Sequence, residues 1–437
     1  MTDSISCKQL AEWIVDLETG EKRGPALVME LCLAEYLLPA CSVAMGIAEY
    51  SCGWFHVSVG NARHWFRVLR APLDQEGKGV APSRPSHTER VFIGRLASLG
   101  HRFFAVTLKT VGRSGTPPAP HLGFAVGEWC AGGTPEYVSS PLAQAYAADL
   151  AKTVNDGIMR KIQQTQRFPV KNEKAIAART VLVDMMGAQK TDVLELLLAT
   201  RCLMNFGFAA PVDADALALD LAHEPVLLEF KRKYPSSGRQ LTRVPASGKK
   251  LVADALEADA RVRGLGKNPG AGKTIFDGFA DESGLTETSG DGYGLDMSHL
   301  RTLLMCEQAG TRYRYLIWRS DKEAAGHGRS KDGFHPEKLL WPTLVPLAWP
   351  DLKWKDISAA YVTGITCTDG DGSGAFTRGV RVQAVFDAND GYQVVGAPPG
   401  FVAHVITECP VCHSPVRTKW NGRQGCSNYR GCNWYEA

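Results

Sequence analysis

The sequence contains no run of apolar residues long enough to span a lipid bilayer. A transmembrane helix needs about 20 consecutive, mainly apolar residues. The most apolar stretch, residues 26–48, is interrupted by Glu30, Glu35 and Pro39. The first residues, Met-Thr-Asp-Ser, lack the basic and apolar regions of a secretory signal peptide. We therefore expect a cytoplasmic protein that has no membrane partner.

The chain also has little net charge. Its 49 basic and 46 acidic residues leave a formal charge of +3, so affinity for a polyanion must come from local clusters rather than from an overall field. Of its 437 residues, 44% are apolar, which is enough to fill several hydrophobic cores. The length and composition are typical of a soluble globular protein of about two to four domains.

A disulfide framework is not expected, although the chain contains 12 cysteines. Eight of them are scattered without motif spacing and without a secretion signal, which favours reduced thiols in the core. The other four form two pairs, Cys409 with Cys412 and Cys426 with Cys432. Two such pairs around a short hairpin bind one tetrahedral Zn²⁺ through four thiolates. Because about 30 residues cannot bury a stable core alone, we expect this zinc ion to be structural.

This C-terminal segment resembles the zinc ribbons of type IA topoisomerases. The similarity covers residues 405–437 and depends on Cys-Pro-Val-Cys at 409–412 and Gly-Cys-Ser-Asn-Tyr at 425–429. The resemblance implies contact with nucleic acid, often single-stranded, and cations interleaved with aromatic rings suit phosphate pairing and base stacking. A purely structural or protein-docking ribbon is the alternative. The predicted nucleic-acid-binding residues are Arg417, Lys419, Trp420, Arg423, Tyr429, Arg430 and Trp434.

A second motif lies in the middle of the chain, where a turn separates two apolar runs. Asp215 opens the first run, residues 223–225 (His-Glu-Pro) supply the turn, and the second run ends at Glu229 and Lys231. Side chains alternate along a strand, so Glu229 and Lys231 share one face. A hairpin folded about Ala222 places Asp215 opposite Glu229, close enough for both carboxylates to bind one cation.

This hairpin, with a helix predicted over Val193–Met204, resembles the PD-(D/E)xK nuclease superfamily. The similarity is best over residues 191–235 and extends to about 320 if Ser298–Gln308 is the next helix and Tyr313–Trp318 the next strand. It implies a restriction-endonuclease-like core of helix, mixed sheet and helix within an α+β or α/β multidomain protein. The resemblance assigns Asp215 and Glu229 as ligands of Mg²⁺ or Mn²⁺, Lys231 as the residue that assists the attacking water, and Glu195 as the supporting acid on the preceding helix.

The residue types fit phosphodiester hydrolysis. Carboxylates hold a hard cation that keeps open positions for water and phosphate, and a lysine stabilises the charge that grows on phosphorus. Two alternatives stay open within the motif. The proline of the family motif is missing before Asp215, which makes Asp213 a rival first ligand, and Lys233 is a substitute for Lys231. A solvated surface hairpin without function is the simplest other interpretation.

A glycine-rich stretch at residues 266–274 is similar to a phosphate-binding loop but departs from it in spacing and context. The pattern requires glycine at position 267, which is Lys267. The preceding residues 251–263 predict an exposed, charged helix rather than a buried strand. We therefore predict a flexible loop over residues 264–294 and no nucleotide binding.

The remaining segments predict secondary structure rather than chemistry. Strand patterns occur at Trp54–Val59, Trp65–Leu69, Val91–Leu96, Phe103–Leu108 and Leu122–Val126, and a long helix is predicted over Ser139–Arg167. We predict five segments: an α+β domain over 1–140 that serves recognition or a protein partner, a helical connector over 141–190, a nuclease-like domain over 191–320, a β-rich segment over 321–404 and the zinc ribbon over 405–437.

These motifs together predict a Mg²⁺-dependent endonuclease or exonuclease, with DNA as the favoured partner. The family resemblance implies a place in bacterial antiviral defence or in a mobile-element system. The alternative is a non-catalytic nucleic-acid-binding protein with an inactive nuclease fold.

Overall fold

A computed structural model of the protein describes residues 37–70, 84–114, 119–130, 136–167, 199–233, 239–264, 269–319, 352–369 and 380–396, and short pieces at 411–412, 414, 416–418 and 424–426. These residues combine helices with a large mixed sheet, which confirms the α+β class. Among the described helices, none has both the length and the apolarity needed to cross a membrane.

A ten-stranded mixed sheet forms the main layer of the molecule. Its strands are β1 (Ile47–Val59), β2 (Ala62–Arg70), β3 (Arg102–Ser114), β4 (Ala119–Cys130), β5 (Glu136–Val138), β6 (Val212–Asp220), β7 (Pro225–Lys233), β11 (Arg312–Arg319), β12 (Leu352–Ile357) and β15 (Gln393–Val395). The order across the sheet is β15-β12-β11-β7-β6-β1-β2-β3-β4-β5. The neighbours β7 and β11 run parallel, as do β2 and β3, and the other neighbours are antiparallel.

A five-stranded sheet forms the second layer. It consists of β8 (Arg239–Thr242), β9 (Thr286–Ser289), β10 (Gly292–Asp296), β13 (Val362–Asp369) and β14 (Val380–Asp387), in the order β10-β14-β13-β8-β9. Strands β13 and β14, both from the C-terminal half of the chain, are antiparallel neighbours in this sheet. A separate hairpin, β16 (Val416–Thr418) with β17 (Gln424–Cys426), lies near the end of the chain.

The helices are α1 (Leu38–Cys41), α2 (His87–Ala97), α3 (Pro141–Arg167), α4 (Gly248–Gly264), α5 (Pro269–Glu282) and α6 (Met297–Gln308). A π-helical turn, Leu203–Gly207, precedes β6, and a 3-10 turn, Ala359–Tyr361, precedes β13. Helix α6 contacts β11 of the large sheet and both β10 and β14 of the small one. It therefore links the two layers.

Two hydrophobic clusters cover the two faces of the large sheet. The first packs side chains of β1, β2, β3, β7 and β11 against α2, α4, α5, α6 and the small sheet, and includes Trp54, Trp65, Phe92, Leu227 and Leu300. The second covers the opposite face over β6, β7, β11, β12 and β15 and includes Met45, Leu228, Phe230, Leu316 and Trp354. Because successive strand residues point to opposite faces, β7 contributes Leu227 to one cluster and Leu228 to the other.

Several predicted elements are confirmed. The helix predicted over Ser139–Arg167 is α3, the helix predicted over Ser298–Gln308 is α6, and the strand predicted over Tyr313–Trp318 is β11. Of the helix predicted over Val193–Met204, the described part begins at residue 199, is helical to Cys202 and continues into the π-helical turn.

The strand predicted over Val91–Leu96 is wrong, because these residues lie in α2. Ser86 caps this helix: its hydroxyl accepts the Glu89 N–H at 3.3 Å, and the Glu89 carboxylate accepts the Ser86 N–H at 2.8 Å. The apolar residues that suggested a strand, Phe92, Ile93 and Leu96, are all fully buried at helical spacing.

Two expectations for residues 251–294 are also wrong. The helix predicted to be exposed, α4, is amphipathic: its Leu251, Ala255 and Ala258 are fully buried. Its acidic residues belong to ion pairs at the edge of the core, since Asp254 pairs with Arg243 and Asp259 lies 2.7 Å from Arg301. The glycine-rich loop predicted over 264–294 contains α5, β9 and β10 among its described residues.

The large sheet joins segments that we predicted from the sequence to lie in separate domains. Strand β1, from the predicted N-terminal domain, pairs with β6 of the predicted nuclease-like domain from Ile47 to His56. At the other side, β11 pairs with β12, which lies in the predicted β-rich segment 321–404. The divisions predicted at residues 140, 190 and 320 therefore run through one hydrogen-bonded sheet.

Candidate active site

The centre of the large sheet carries the predicted acidic hairpin. Strands β6 and β7 are antiparallel, with Ala216 opposite Leu228 and Ala218 opposite Val226. The next positions in this register are Asp215 and Glu229, as expected for a hairpin that folds about Ala222.

The turn of the hairpin holds this register. The Asp220 carboxylate accepts the backbone N–H of Ala222 at 2.9 Å and that of Glu224 at 2.8 Å. Pro225 begins β7, where its missing N–H costs little. The turn therefore fixes which residues meet at the far end of the two strands.

The hairpin brings an acid and an amine into contact. Lys231 Nζ lies 2.5 Å from Glu229 Oε1, and the Glu229 side chain is completely buried, whereas that of Lys231 is 25% exposed. The contact is an ion pair between a buried carboxylate and a partly exposed ammonium. Asp215 is half-buried, and its Oδ2 accepts the Phe230 N–H at 2.6 Å. The three residues predicted from the motif thus occupy one site.

His299 completes the site from the first turn of α6. Its Nδ1 lies 3.0 Å from Glu229 Oε2, and its Nε2 lies 3.6 Å from Asp213 Oδ1. Asp213 shares a strand face with Asp215 because the two are separated by one residue. The imidazole therefore bridges an acid on β6 and an acid on β7.

A second histidine fixes the helix that carries His299. His56, on β1, lies 3.0 Å from the Thr302 hydroxyl of α6 through its Nε2. Burial, reinforced by the nearby positive charge of Arg63, lowers the pKa of His56 to about 3, so its imidazole is neutral.

The two aspartates differ in their electrostatic surroundings. Burial raises the pKa of Asp215 to about 7, and the negative charges of Glu229 and Asp213 add to this effect against the opposing charge of Lys231. Burial also favours a higher pKa for Asp213. The positive charges of Lys231, His299 and Arg201 outweigh burial and hold the pKa of Asp213 below its usual range. Arg201 Nη2 lies 3.9 Å from Asp213 Oδ2. Lys231, His299 and Arg201 therefore favour the ionised form of Asp213, whereas at Asp215 the charge of Lys231 does not outweigh burial and the two neighbouring acids.

Lys231 remains an ammonium in this site. Burial lowers its pKa, but the three carboxylates of Glu229, Asp213 and Asp215 outweigh burial and raise the pKa of Lys231 well above its usual value. A charged lysine donates hydrogen bonds and stabilises negative charge, and it does not act as a base.

The donor set fits a hard divalent cation. Three carboxylates face one lysine and one histidine, and Mg²⁺ and Mn²⁺ prefer oxygen ligands of this kind. Each carboxylate oxygen of Glu229 has one cationic neighbour, Lys231 at Oε1 and His299 at Oε2, which leaves the second lone pair of each oxygen for a metal ion. Of the two aspartates, Asp215 is the one that would hold the ion together with Glu229, because Asp213 lies near both His299 and Arg201.

Two tyrosines of β11 form the wall behind Glu229. Tyr315 pairs with Glu229 across the parallel strands, and its hydroxyl donates to Gly294 O at 3.0 Å. Tyr313 and Tyr315 are buried, and burial is the main reason that their pKa values lie well above the usual range. Water therefore reaches the carboxylates from the side of Asp213, Asp215 and Lys231, which are partly exposed.

Several predicted site residues lie outside the described residues. They are Glu195, Cys409, Cys432, Lys419, Trp420, Arg423, Tyr429, Arg430 and Trp434. Of the other tail residues, Cys412 lies in a turn next to Ser414, and Arg417 and Cys426 lie on the β16–β17 hairpin, where Val416 pairs with Cys426. The zinc site and the nucleic-acid surface of the tail stay predictions.

The residue that the motif did not reveal is His299. It follows β7 by 66 positions, and its helix was predicted, but a lone histidine in a helix carries no signal of what its ring contacts. Its role depends on the crossover from β7 through α6 to β11, which brings the first turn of the helix over the acidic residues.

Comparisons of this chain with family models, with curated proteins and with solved structures find no match.

Proposed function

We propose that this protein is a metal-dependent nuclease that hydrolyses phosphodiester bonds, with DNA as its substrate and Mg²⁺ or Mn²⁺ as its cofactor. The observation that carries the proposal is the cluster at the end of the β6–β7 hairpin. Asp215 and Glu229 occupy adjacent strands in register, and Lys231 lies 2.5 Å from Glu229.

The acidic residues have different roles in the proposed site. Asp215 and Glu229 hold the cation, and Asp213 holds His299 over the site together with Glu229. When bound, such an ion polarises a phosphate oxygen and makes a bound water more acidic. The tyrosine wall behind Glu229 keeps bulk water away from the buried side, which strengthens these interactions.

Lys231 stabilises the transition state. Its ammonium is a hydrogen-bond donor beside the cation site, where negative charge grows on the phosphoryl oxygens. The three surrounding carboxylates keep it protonated at neutral pH. His299 is a positioning residue, because its two nitrogens contact Glu229 and Asp213 rather than open solvent.

DNA is favoured as substrate by the resemblance of the motif to restriction enzymes, resolvases and repair nucleases. The C-terminal segment, with its interleaved cations and aromatic residues, adds affinity for a single strand in this proposal. The same resemblance favours a cytoplasmic role in bacterial antiviral defence or in a mobile-element system.

Cleavage assays on a substrate panel test the proposal. Plasmid, linear, single-stranded DNA and RNA substrates are incubated with Mg²⁺, Mn²⁺ or EDTA. We expect cutting that EDTA abolishes. Lys231→Ala is expected to slow cutting by about 10²–10³-fold, as for the loss of one transition-state donor, and Glu229→Gln by at least as much, with DNA binding retained in both.

Two further variants sharpen the result. His299→Gln is expected to raise the Mg²⁺ concentration needed for half-maximal cutting more than it lowers the maximal rate, because it loosens Glu229. Lys355→Ala is the matched control, since Lys355, on β12, pairs with Asp390 rather than with a carboxylate of the site. Binding without cutting by any metal would contradict the proposal and favour the inactive nuclease fold. Full activity in Glu229→Gln would place the chemistry elsewhere.

A further inference from the structure

A second group of metal-ligating side chains lies at the opposite end of the β6–β7 hairpin. It consists of Glu49 on β1, His87 at the start of α2 and His223 in the hairpin turn. The turn is separated from Asp215 by about 20 Å, at about 3.3 Å per strand residue. This group is therefore independent of the acidic site proposed to cut nucleic acid.

The three side chains converge on one point. Each offers one ligand atom, and the three atoms lie within 4.8 Å of one another. Glu49 Oε1 and His87 Nδ1 are 3.2 Å apart. Two ligands of a tetrahedral Zn²⁺, each at about 2.0–2.1 Å from the ion, lie about 3.3 Å apart. The spacing of the first pair already matches that of two ligands on one ion.

The backbone presents His223 in a fixed orientation. His223 has a φ of +59°, which is uncommon for a residue other than glycine. Its N–H donates to Asp220 O at 2.9 Å, and the Asp220 carboxylate accepts the N–H groups on either side of it. The turn thus directs the imidazole toward His87, with the two ring centroids 6.0 Å apart.

Glu49 and His87 are also held by their neighbours. The Thr88 hydroxyl donates to Glu49 Oε2 at 3.1 Å, which leaves Oε1 for His87. His87 follows the N-cap Ser86, whose capping box fixes the first turn of α2. Such preorganisation lowers the entropic cost of binding an ion.

We propose that Glu49, His87 and His223 bind a divalent transition-metal ion of the zinc class. Two imidazoles and one carboxylate favour Zn²⁺, Co²⁺ or Ni²⁺ over Mg²⁺, whose preference is for oxygen ligands. Three protein ligands leave at least one position for water. The ion joins β1, α2 and the hairpin turn, and so stabilises the end of the hairpin that is remote from the acidic site.

Co²⁺ binding to the full-length protein tests the site. Metal-stripped protein is dialysed against excess Co²⁺ in the presence of a larger excess of Mg²⁺, and bound cobalt per chain is measured by elemental analysis. The test variant carries His87→Gln and His223→Asn, because asparagine tolerates a positive φ. The matched control is Glu224→Gln, which changes an exposed carboxylate next to His223 that lies outside the group.

We expect the test variant to bind one Co²⁺ fewer per chain than the wild type and the Glu224→Gln control. The tail cysteines and the acidic site are present in all three proteins, so their contributions cancel. Co²⁺ is also expected to raise the thermal unfolding temperature of the wild type more than that of the test variant. Equal cobalt content in the three proteins, with native near-ultraviolet circular dichroism in each, would show an ordinary Glu–His ion pair and overturn the proposal.

Discussion

The chemistry of single residues in this protein is set by what surrounds them. Lys231 keeps its proton in a partly buried position because three carboxylates face it, and Asp215 holds a pKa of about 7 because burial and two acids oppose its charge. An aspartate in water has a pKa of about 3.9, so the raised pKa of Asp215 is a property of this site, whereas for Lys231 the carboxylates offset the burial that would otherwise favour the neutral amine. A site with these residues in solvent would attract a cation far less strongly.

His101 gives a prediction at the scale of one residue. It is buried, and its Nδ1 accepts the Arg63 N–H at 2.8 Å. Burial, with the charge of Arg63, lowers the pKa of His101 to about 4. Since the unfolded chain protonates histidine near pH 6.5, stability is full above that pH and falls as the pH drops toward 4, by up to about 3 kcal/mol from this residue.

The variant His101→Gln can still accept the Arg63 N–H but does not titrate. We expect its free energy of unfolding, measured with urea at pH 7.5 and pH 5, to fall less than that of the wild type. Gln144→Ala, at an exposed residue of α3 that does not titrate, is the control and is expected to follow the wild type. An unchanged pH dependence in His101→Gln would show that His101 does not contribute.

Among the secondary-structure elements, α2 and α4 show how local signals decide helix formation and exposure. The apolar residues of α2 resemble a strand run, but the capping box formed by Ser86 and Glu89 starts a helix there. In α4, the charged residues suggested exposure, whereas the structure uses Asp254 and Asp259 to pair with arginines at the edge of the core. Charge alone does not identify an exposed helix when each charge has a partner.

The start of α4 gives a prediction at this scale. A Cβ on Gly248 would lie 2.6 Å from Ala359 O and would also collide with Ala360 O, both of which are backbone atoms. Gly248→Ala must therefore push α4 away from the 3-10 turn. We expect a loss of about 1–3 kcal/mol in the free energy of unfolding, measured by chemical denaturation.

The last residue of the same helix supplies the control. A Cβ on Gly264 would meet no atom of the described residues within 4 Å, so Gly264→Ala is expected to change stability by no more than about 0.5 kcal/mol. Equal stability of the two variants would mean that α4 and the 3-10 turn do not touch as described.

At the scale of the whole molecule, the segment that carries the acidic site is incomplete by itself. Strand β6 pairs with β1, which precedes the segment in the sequence. Arg314, on β11, is buried, and its partners come from the chain before residue 191 and after residue 320. Arg314 donates to Met45 O at 2.6 Å and to both carboxylate oxygens of Asp356 at 2.7 and 2.9 Å. Without Met45 and Asp356 the buried guanidinium of Arg314 would lose these partners, which would lower the free energy of unfolding by several kcal/mol.

We therefore expect a fragment of residues 191–320 to lack a cooperative unfolding transition. The full chain, measured under the same conditions by circular dichroism during heating, is expected to show one. The fragment is also expected to be digested much faster by a dilute protease. A fragment with a sharp transition and protease resistance would show that the shared sheet is not needed for the site.

The sequence by itself determined the hairpin, its register, and the meeting of Asp215, Glu229 and Lys231, because strand alternation and turn chemistry act over a few residues. The pattern of residues 139–167 also predicted α3, and the extension of the family resemblance required a helix and a strand where α6 and β11 lie. The placement of His299, the pairing of β1 with β6, and the grouping of Glu49 with His87 and His223 were decided only by the tertiary structure. Each of these depends on contacts between residues far apart in the chain, and a local pattern contains no information about which distant element will pack against it.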